Sequence, residues 1–364
     1  MSVQVSYKKQ TLFFVLLFFV LLGTVEISSR IYEQVVPNCV FLTSDATAHL
    51  DFNLKKSMCD QKIHLKTIDY PVDGYEPNQT LTTININSLG FRGDDFELVK
   101  DENTYRIFMI GGSTTFGTGA TSDDATIPSF LQNEFKKNNY NVEVINAGVG
   151  GANSFEEVYK IRHMYKQFDP DIFLIYDGYN DSRGVPEGNF DPNFSRDDRA
   201  ESQRSLLHLF IRDNLQEYRT PYVVFPILSV YNNALKMNDE VYQKNSDVWS
   251  SRWDEMCKEN TVDDIKTIIL LQPIVGTGDK ILSEGEKRLA NGIMETTMQK
   301  QLEYHAKTLP IVSCDGSIDL RNTFDGVSEP LYFDEGHMVD LGYELMAKEI
   351  YKKIIPIISE DLLN

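Results

Sequence analysis

Four short blocks in this sequence bring together residue types that can do chemistry. Gly111-Gly112-Ser113-Thr114 sets a hydroxyl on a glycine-rich turn, and Ala147-Gly148 ends an apolar run. Gly178-Tyr179-Asn180-Asp181 offers an amide, and Asp334-Glu335-Gly336-His337 pairs a carboxylate with an imidazole three residues on. A serine hydroxyl is a weak nucleophile until an adjacent base takes its proton. His337 is the candidate base, and Asp334 is the candidate to orient its ring. Attack on an acyl carbon also needs donors for the oxyanion that develops. The backbone N–H groups of Ser113 and Gly148 and the side-chain amide of Asn180 are the three candidates. The expected site is therefore Ser113, Asp334 and His337 with an oxyanion hole of Ser113, Gly148 and Asn180.

Other chemistries fit the same residues less well. A phosphate-binding loop needs GxxxxGK[ST], but Gly112 and Gly117 are followed by Thr118. The dinucleotide pattern GxGxxG fails as well, because Gly117-Thr118-Gly119 runs on into Ala120, Thr121 and Ser122. Plainer roles also exist: Ser113 as a helix cap, Asn180-Asp181 as an ordinary turn, Asp334 and His337 as a surface pair. His49, His64, His163, His208 and His305 have no partner motif and read as structural. Asn78-Gln79-Thr80 and Asn193-Phe194-Ser195 have the form of glycosylation acceptors.

These blocks must be carried by elements, and the elements are legible. Tyr105–Ile110, Val142–Asn146, Asp171–Tyr176 and Thr267–Leu271 are continuous apolar runs that read as buried strands, and Pro310–Ser313 reads as a fifth. Helical spacing appears over Ile127–Lys137, Ser154–Phe168, residues 284–306 and Asp340–Ile354. Apolar strands alternating with helices imply an α/β fold with a parallel sheet covered on both faces. In such sheets ligands bind outside the carboxyl ends of the strands. Three of the four blocks directly follow a strand, and the fourth precedes the last helix. Residues 183–262, with Tyr222–Tyr231, Trp249 and Trp253, interrupt the pattern and read as an insertion over that edge, or as ordinary packing helices.

With these blocks in this order, the chain resembles the SGNH/GDSL hydrolase family over residues 104–355. Ser113, Gly148, Gly178-x-Asn180-Asp181 and Asp334-x-x-His337 correspond to its four blocks. The resemblance implies a flavodoxin-like three-layer α/β/α sandwich (the SGNH hydrolase fold), no metal or other cofactor, and hydrolysis or transfer of acyl esters. Gly112 departs from the signature, which has Asp before the serine. Asn87-Ser88-Leu89-Gly90-Phe91-Arg92-Gly93 resembles the lead-in of membrane-anchored members.

The N-terminus sets the expected compartment. Residues 11–25 (TLFFVLLFFVLLGTV) carry no charge and follow Lys8 and Lys9, the pattern of a signal peptide or signal anchor. With no A-x-A cleavage site after it, an uncleaved transmembrane helix is expected. The lysines place the N-terminus in the cytoplasm and the rest outside. The expected domains are residues 1–27 as cytoplasmic tip and anchor, 28–100 as a juxtamembrane region, and 101–364 as the hydrolase-like domain. With 35 Lys+Arg against 54 Asp+Glu the net charge is −19, a field that repels nucleic acid. Cys39, Cys59, Cys257 and Cys314 form no CxxC pair. Two disulfides suit an extracytoplasmic domain, and Cys39–Cys59 with Cys257–Cys314 is the pairing favoured, against four reduced, buried thiols. The expected function is a single-pass membrane serine esterase acting on acyl esters, O-acetyl above all, of cell-surface carbohydrate or lipid. Its alternatives are an O-acyltransferase using the same triad and a non-catalytic surface-binding protein on a hydrolase scaffold.

Overall fold

Unbroken apolar runs become the strands of a parallel sheet, because only a strand buried on both faces has no use for polar residues. The computed structural model describes residues 6–35, 39–68, 72–183, 237–311 and 313–363. In chain order it has α1 (Tyr7–Val35), α2 (Val40–Thr43), α3 (Phe52–His64), and four two-residue strands β1 (Thr67–Ile68), β2 (Gly74–Tyr75), β3 (Gln79–Thr80) and β4 (Asn85–Ile86). Then come β5 (Tyr105–Gly111), α4 (Ser113–Phe116), α5 (Ile127–Lys137), β6 (Val142–Gly148), α6 (Ser154–Lys160) and β7 (Ile172–Asp177). The last elements are α7 (Asp239–Val262), β8 (Lys266–Leu271), α8 (Glu284–Ala290), α9 (Ile293–Thr308), β9 (Gly316–Asp319) and α10 (Asp340–Ile358).

The main sheet is parallel, with spatial order β6-β5-β7-β8-β9. Numbered by sequence within the sheet, that order is 2-1-3-4-5, the flavodoxin-like arrangement, whose switch point lies between the first and third strands. Side chains alternate between the two faces. Ile107, Met109, Leu174 and Leu270 face one way, with Leu131 and Phe135 of α5 and Met346, Ile350 and Ile354 of α10. Phe108, Ile110, Phe173, Ile175 and Ile269 face the other, with Val158 of α6, Trp249 and Trp253 of α7, and Met298 and Leu302 of α9. The α/β/α sandwich expected from the sequence is therefore present.

Helix ends carry their own signals. Asn153 caps α6, accepting from Phe155 N–H at 3.1 Å, and Glu156 reaches back to Asn153 N–H at 3.2 Å. α6 then runs on through a wider turn, Ile161–Tyr165, and a tighter one, Lys166–Phe168. Thr126 caps α5, with Pro128 in its first turn. The helix expected at 284–306 is instead two, broken at Asn291-Gly292.

One other element departs from the sequence reading. The fifth strand is Gly316–Asp319, not 310–313. Ile311 packs into the apolar cluster under α7 instead of pairing, and the ladder to β8 opens at Asp315, whose carboxylate accepts Thr267 N–H at 2.7 Å. Asp239–Val262, the end of the expected insertion, is a helix of the outer layer with Trp249 and Trp253 fully buried; residues 184–236, including Tyr222–Tyr231, lie outside the described residues. The described residues from Cys39 to residue 100 lie in the same compact unit as the sheet.

Both expected disulfides are present: Cys39–Cys59, joining the start of α2 to α3, and Cys257–Cys314, joining α7 to the approach to β9. α1 contains one stretch, Tyr7–Ser28, long and apolar enough to cross a membrane, with 22 residues at mean hydropathy 2.3. At about 1.5 Å per residue its length matches the ~30 Å thickness of a hydrocarbon core.

Candidate active site

Register brings the functional loops to one edge. Gly111 pairs with Gly148 on one side and Tyr176 on the other, and Asp177 pairs with Leu271. Strands β5, β6, β7 and β8 therefore end nearly level, and the segments that follow them emerge together at the switch point. Ser113 follows β5, the loop Val149–Asn153 follows β6, Asn180 follows β7, and Gln272 follows β8.

Ser113 opens the four-residue helix α4. Its N–H is one of the first-turn donors that a helix leaves without an intrahelical partner. Gly112 before it leaves room for Asn180: a Cβ there would lie 2.4 Å from Asn180 Nδ2. Behind the turn, Thr114 Oγ1 donates to Gln272 Oε1 at 2.9 Å.

His337 Nε2 lies 2.6 Å from Ser113 Oγ. Its Nδ1 lies 2.9 and 2.8 Å from the two Asp334 oxygens. An ionised carboxylate only accepts, so Nδ1 carries the proton and Nε2 accepts from the serine hydroxyl. Asp334 Oδ1 also accepts the backbone N–H groups of Gly336 (3.1 Å) and His337 (2.8 Å). Burial pushes the Asp334 carboxyl up, but the facing His337 and these hydrogen bonds outweigh it and hold it below its usual range. The ring is packed as well as bonded. Phe333 stacks on it at 5.8 Å and Tyr179 meets it edge-on at 5.6 Å.

The segment carrying Asp334 and His337 has no regular element of its own, so neighbours hold it. Phe333 N–H donates to His337 O at 3.2 Å, and Val275 N–H to Glu335 O at 3.0 Å. Buried Glu286 accepts the N–H groups of Leu331 (2.9 Å) and Tyr332 (3.1 Å) on one oxygen and Lys280 Nζ (2.8 Å) on the other. Arg183 donates to Tyr179 Oη at 2.8 Å and Glu335 Oε1 at 3.0 Å, linking the loop after β7 to this one. Sequence reasoning singled out none of Glu286, Phe333 or Arg183, because each acts through a contact that no local spacing encodes.

The oxyanion donors meet the geometry differently. Asn180 Nδ2 donates one proton to Ala152 O at 2.6 Å, which orients the amide and leaves its second N–H. Gly148 does not fit its expected part. Its N–H donates to Asn146 Oδ1 at 3.1 Å, and a Cβ on it would meet Phe116 N at 2.1 Å. Gly148 is thus a close-packing position under α4, and its donor is already taken. Further along the loop, Gly150 N–H donates to Tyr75 Oη at 2.9 Å. Gly151, exposed and at φ +81°, has open space where a Cβ would be.

Under the loop of Asn180 lies a buried polar group. Asp177 Oδ2 accepts the indole N–H groups of Trp249 (2.8 Å) and Trp253 (3.1 Å). Burial and the neighbouring Asp181 push its carboxyl up to about 8. Asp181 in turn accepts Ser154 N–H at 2.9 Å and Ser154 Oγ–H at 2.6 Å. His305 is indeed structural: fully buried, 3.1 Å from Ser246 Oγ and lowered by burial to about 4. Among the described residues no group of three or more His, Cys, Asp or Glu could hold a metal ion.

A family model described as "GDSL-like Lipase/Acylhydrolase family" matches residues 109–297. The match takes in Ser113, Gly148 and Asn180 and stops before Asp334 and His337. A stretch of 96 residues is 30% identical to an uncharacterized protein of Mycoplasma pneumoniae, 26% of this chain and 11% of that protein, so the chain spans a small part of that relative's length. Among solved structures, an acetyl xylan esterase is 13% identical at TM-score 0.41, over 69% of this chain and 100% of that one. A lipase/acylhydrolase from Enterococcus faecalis is 16% identical at TM-score 0.40, over 69% and 95%. A putative lipolytic protein of G-D-S-L family from Desulfitobacterium hafniense DCB-2 is 12% identical at TM-score 0.39, over 68% and 98%.

Proposed function

Because the chain belongs to the GDSL-like lipase/acylhydrolase family and is an ester-bond hydrolase, we propose that it works as a serine esterase with Ser113 as nucleophile, His337 as general base and Asp334 as the group that orients it. The observation that carries this reading is the unbroken chain of contacts: Asp334 Oδ2 to His337 Nδ1 at 2.8 Å, and His337 Nε2 to Ser113 Oγ at 2.6 Å.

In the proposed cycle Ser113 Oγ attacks the ester carbonyl carbon while its proton passes to His337 Nε2. Asp334 stabilises the imidazolium and keeps the tautomer. The oxyanion is held by Ser113 N–H and the second N–H of Asn180, with Gly151 N–H taking the place of Gly148. Collapse breaks the bond to the alkoxy group, which leaves with the His337 proton. Water then attacks the acyl-enzyme and gives a proton to His337, which returns it to Ser113 as the acid departs. Each donor of this kind is worth about 10²–10³ in rate.

Substrate and setting belong to the same proposal. The stretch Tyr7–Ser28 has the length and composition of a membrane span, and Lys8 and Lys9 precede its apolar core. Read as an uncleaved anchor with a cytoplasmic N-terminus, it holds the enzyme outside the membrane. The esters met there are acyl groups, O-acetyl above all, on surface carbohydrates and lipids. The two disulfides fit an oxidising compartment.

The test is fluorophosphonate labelling with p-nitrophenyl acetate hydrolysis, on wild type and Ser113→Ala. Labelling at Ser113 and turnover that the variant loses are expected. A folded wild type that neither labels nor turns over refutes the serine esterase. Acetyl groups recovered on an added glycan instead of as free acetate would identify a transferase.

A further inference from the structure

The segment between the N-terminal helix and the sheet contributes side chains to the nucleophile turn. The sequence marks one of them. In Asn87-Ser88-Leu89-Gly90-Phe91-Arg92-Gly93, Asn87 Oδ1 accepts the N–H groups of Leu89 and Phe91, each at 2.9 Å. Gly90 takes φ +87° within that turn, a conformation that costs glycine little. The turn drives Phe91 into the apolar cluster against Phe108 and Phe168 and delivers Arg92 to the far end of α4.

Arg92 is 4% exposed, so its charge must be satisfied within the protein. Nη1 donates to Phe116 O at 3.0 Å and Gly117 O at 2.7 Å, Nη2 to Thr83 O at 2.7 Å, and Nε to Asp123 Oδ1 at 2.7 Å. Two of these acceptors end the turn that Ser113 begins. A four-residue helix has no interior to hold it, so its position depends on what binds its ends. Asn146 Nδ2 donates to the same Phe116 carbonyl at 3.3 Å. From the same segment, the Tyr75 ring stacks on Phe116 at 4.6 Å, and its hydroxyl accepts Gly150 N–H at 2.9 Å. One pair of side chains therefore grips both the nucleophile turn and the loop that carries Gly151.

We propose that Arg92 and Tyr75 are positioning residues for the reaction: Arg92 sets where α4 presents Ser113, and Tyr75 sets the loop Val149–Asn153 against it. The inference rests on the reading of Ser113 as nucleophile. Their hydrogen bonds and ring contact on this side fall on Phe116, Gly117 and Gly150, and it is through these that both act.

The test uses the full-length protein and measures kcat and KM for p-nitrophenyl acetate, the rate of fluorophosphonate labelling at Ser113, and near-UV circular dichroism. Displacing a reacting group by about 1 Å costs on the order of 10² in rate. Arg92→Lys keeps the charge but cannot span the four acceptors. It should lose activity on that scale in kcat and in labelling rate together, with KM little changed and the dichroism retained. In Arg92→Ala, millimolar guanidinium should restore part of kcat. Should Arg92 variants fail to fold, Tyr75→Phe decides the matter, since it removes a single hydroxyl and keeps the stacked ring; its kcat should fall with KM unchanged. Folded variants that turn over at the wild-type kcat overturn the proposal, whatever their thermal stability. A wild type that does not label at Ser113 refutes the nucleophile reading instead, which keeps the two failures apart.

Discussion

At position 112 a single missing Cβ leaves the space that the Asn180 amide occupies. A side chain there would lie 2.4 Å from Asn180 Nδ2 and 3.3 Å from Ala152 O, the acceptor that orients that amide. Gly112→Ala should therefore displace the amide and lower kcat by about 10²–10³, the loss of one oxyanion donor, while leaving fluorescence and melting temperature nearly unchanged. Retained kcat would remove Asn180 from the oxyanion hole. Asp334→Asn should lower kcat by about 10⁴, because an amide no longer selects the Nδ1–H tautomer; an amide variant with near wild-type kcat would show that Asp334 does not orient the base. Titration of single groups also shapes stability. Asp334 is held below its usual 3.8 in the fold. Its contribution is present above 3.8 and lost as pH falls through the folded value. His305, lowered from 6.5 to about 4, binds fewer protons folded than unfolded between those values, so its contribution is also lost on acidification. Asp177 runs the other way: raised from 3.8 to about 8, it binds more protons folded, so stability falls as pH rises across that window. Asp177→Asn offers both indoles the same acceptor without the charge. Urea midpoints measured across that window should decline less steeply in this variant, with the raised carboxyl of Glu157 keeping a share of the slope, and an unchanged slope would assign the decline elsewhere. These residues differ in how far the sequence announced them. Ser113, Asp334, His337 and Asn180 lie in short blocks with recognisable order. Gly148 lies in one too, yet its N–H is spent on Asn146 Oδ1, because a two-residue side-chain bond leaves no trace in the block pattern.

At the scale of elements, the strands were readable because burial on both faces demands an unbroken apolar run. The fifth was misplaced for the same reason. Leu309 and Ile311 are apolar but pack against the helix layer, while Gly316–Asp319 is half exposed at the sheet edge and carries little apolar signal. For helix α7 the sequence leaves an insertion and a packing helix both open, because its two tryptophans and scattered polar residues match no simple stripe, and the structure shows the packing helix. In the fold it is pinned three ways: Trp249 and Trp253 to Asp177, and Cys257 to Cys314. The Cys257–Cys314 bridge closes a separation of 57 residues, for which the chain-entropy relation predicts about 4 kcal/mol. Cys257→Ser with Cys314→Ser should lower the unfolding free energy by roughly that amount and leave KM unchanged; an equally stable double variant would mean the cross-link does not constrain the unfolded chain. In the sheet, Leu174 is fully buried on β7, and Leu174→Ala should cost about 2–5 kcal/mol by denaturant titration.

The whole molecule carries a net charge of −19, and among the described residues one helix has the make-up of a membrane span. The full chain should sediment with membranes and resist alkaline carbonate, while residues 39–364 should stay in the supernatant. An N-terminus of the mature protein found beyond residue 28 would replace the anchor with a cleaved signal. By itself the sequence determined the α/β class, the location of the four blocks at strand ends and before the last helix, and the apolar N-terminal stretch. These are local properties, set by periodicity, by order and by the few residue types that can serve each chemistry. The tertiary structure alone decided the 2-1-3-4-5 strand order that opens a switch point beside Ser113. It also decided the loss of Gly148 as a donor, the support of His337 by Phe333 and Glu286, and the reach of Arg92 and Tyr75 into the nucleophile turn. The strand order, the hold of Glu286 on Leu331 and Tyr332, and the reach of Arg92 and Tyr75 join segments distant in sequence and exist only once the sheet has brought those segments together, whereas the Gly148–Asn146 bond spans two residues and is set by the local backbone.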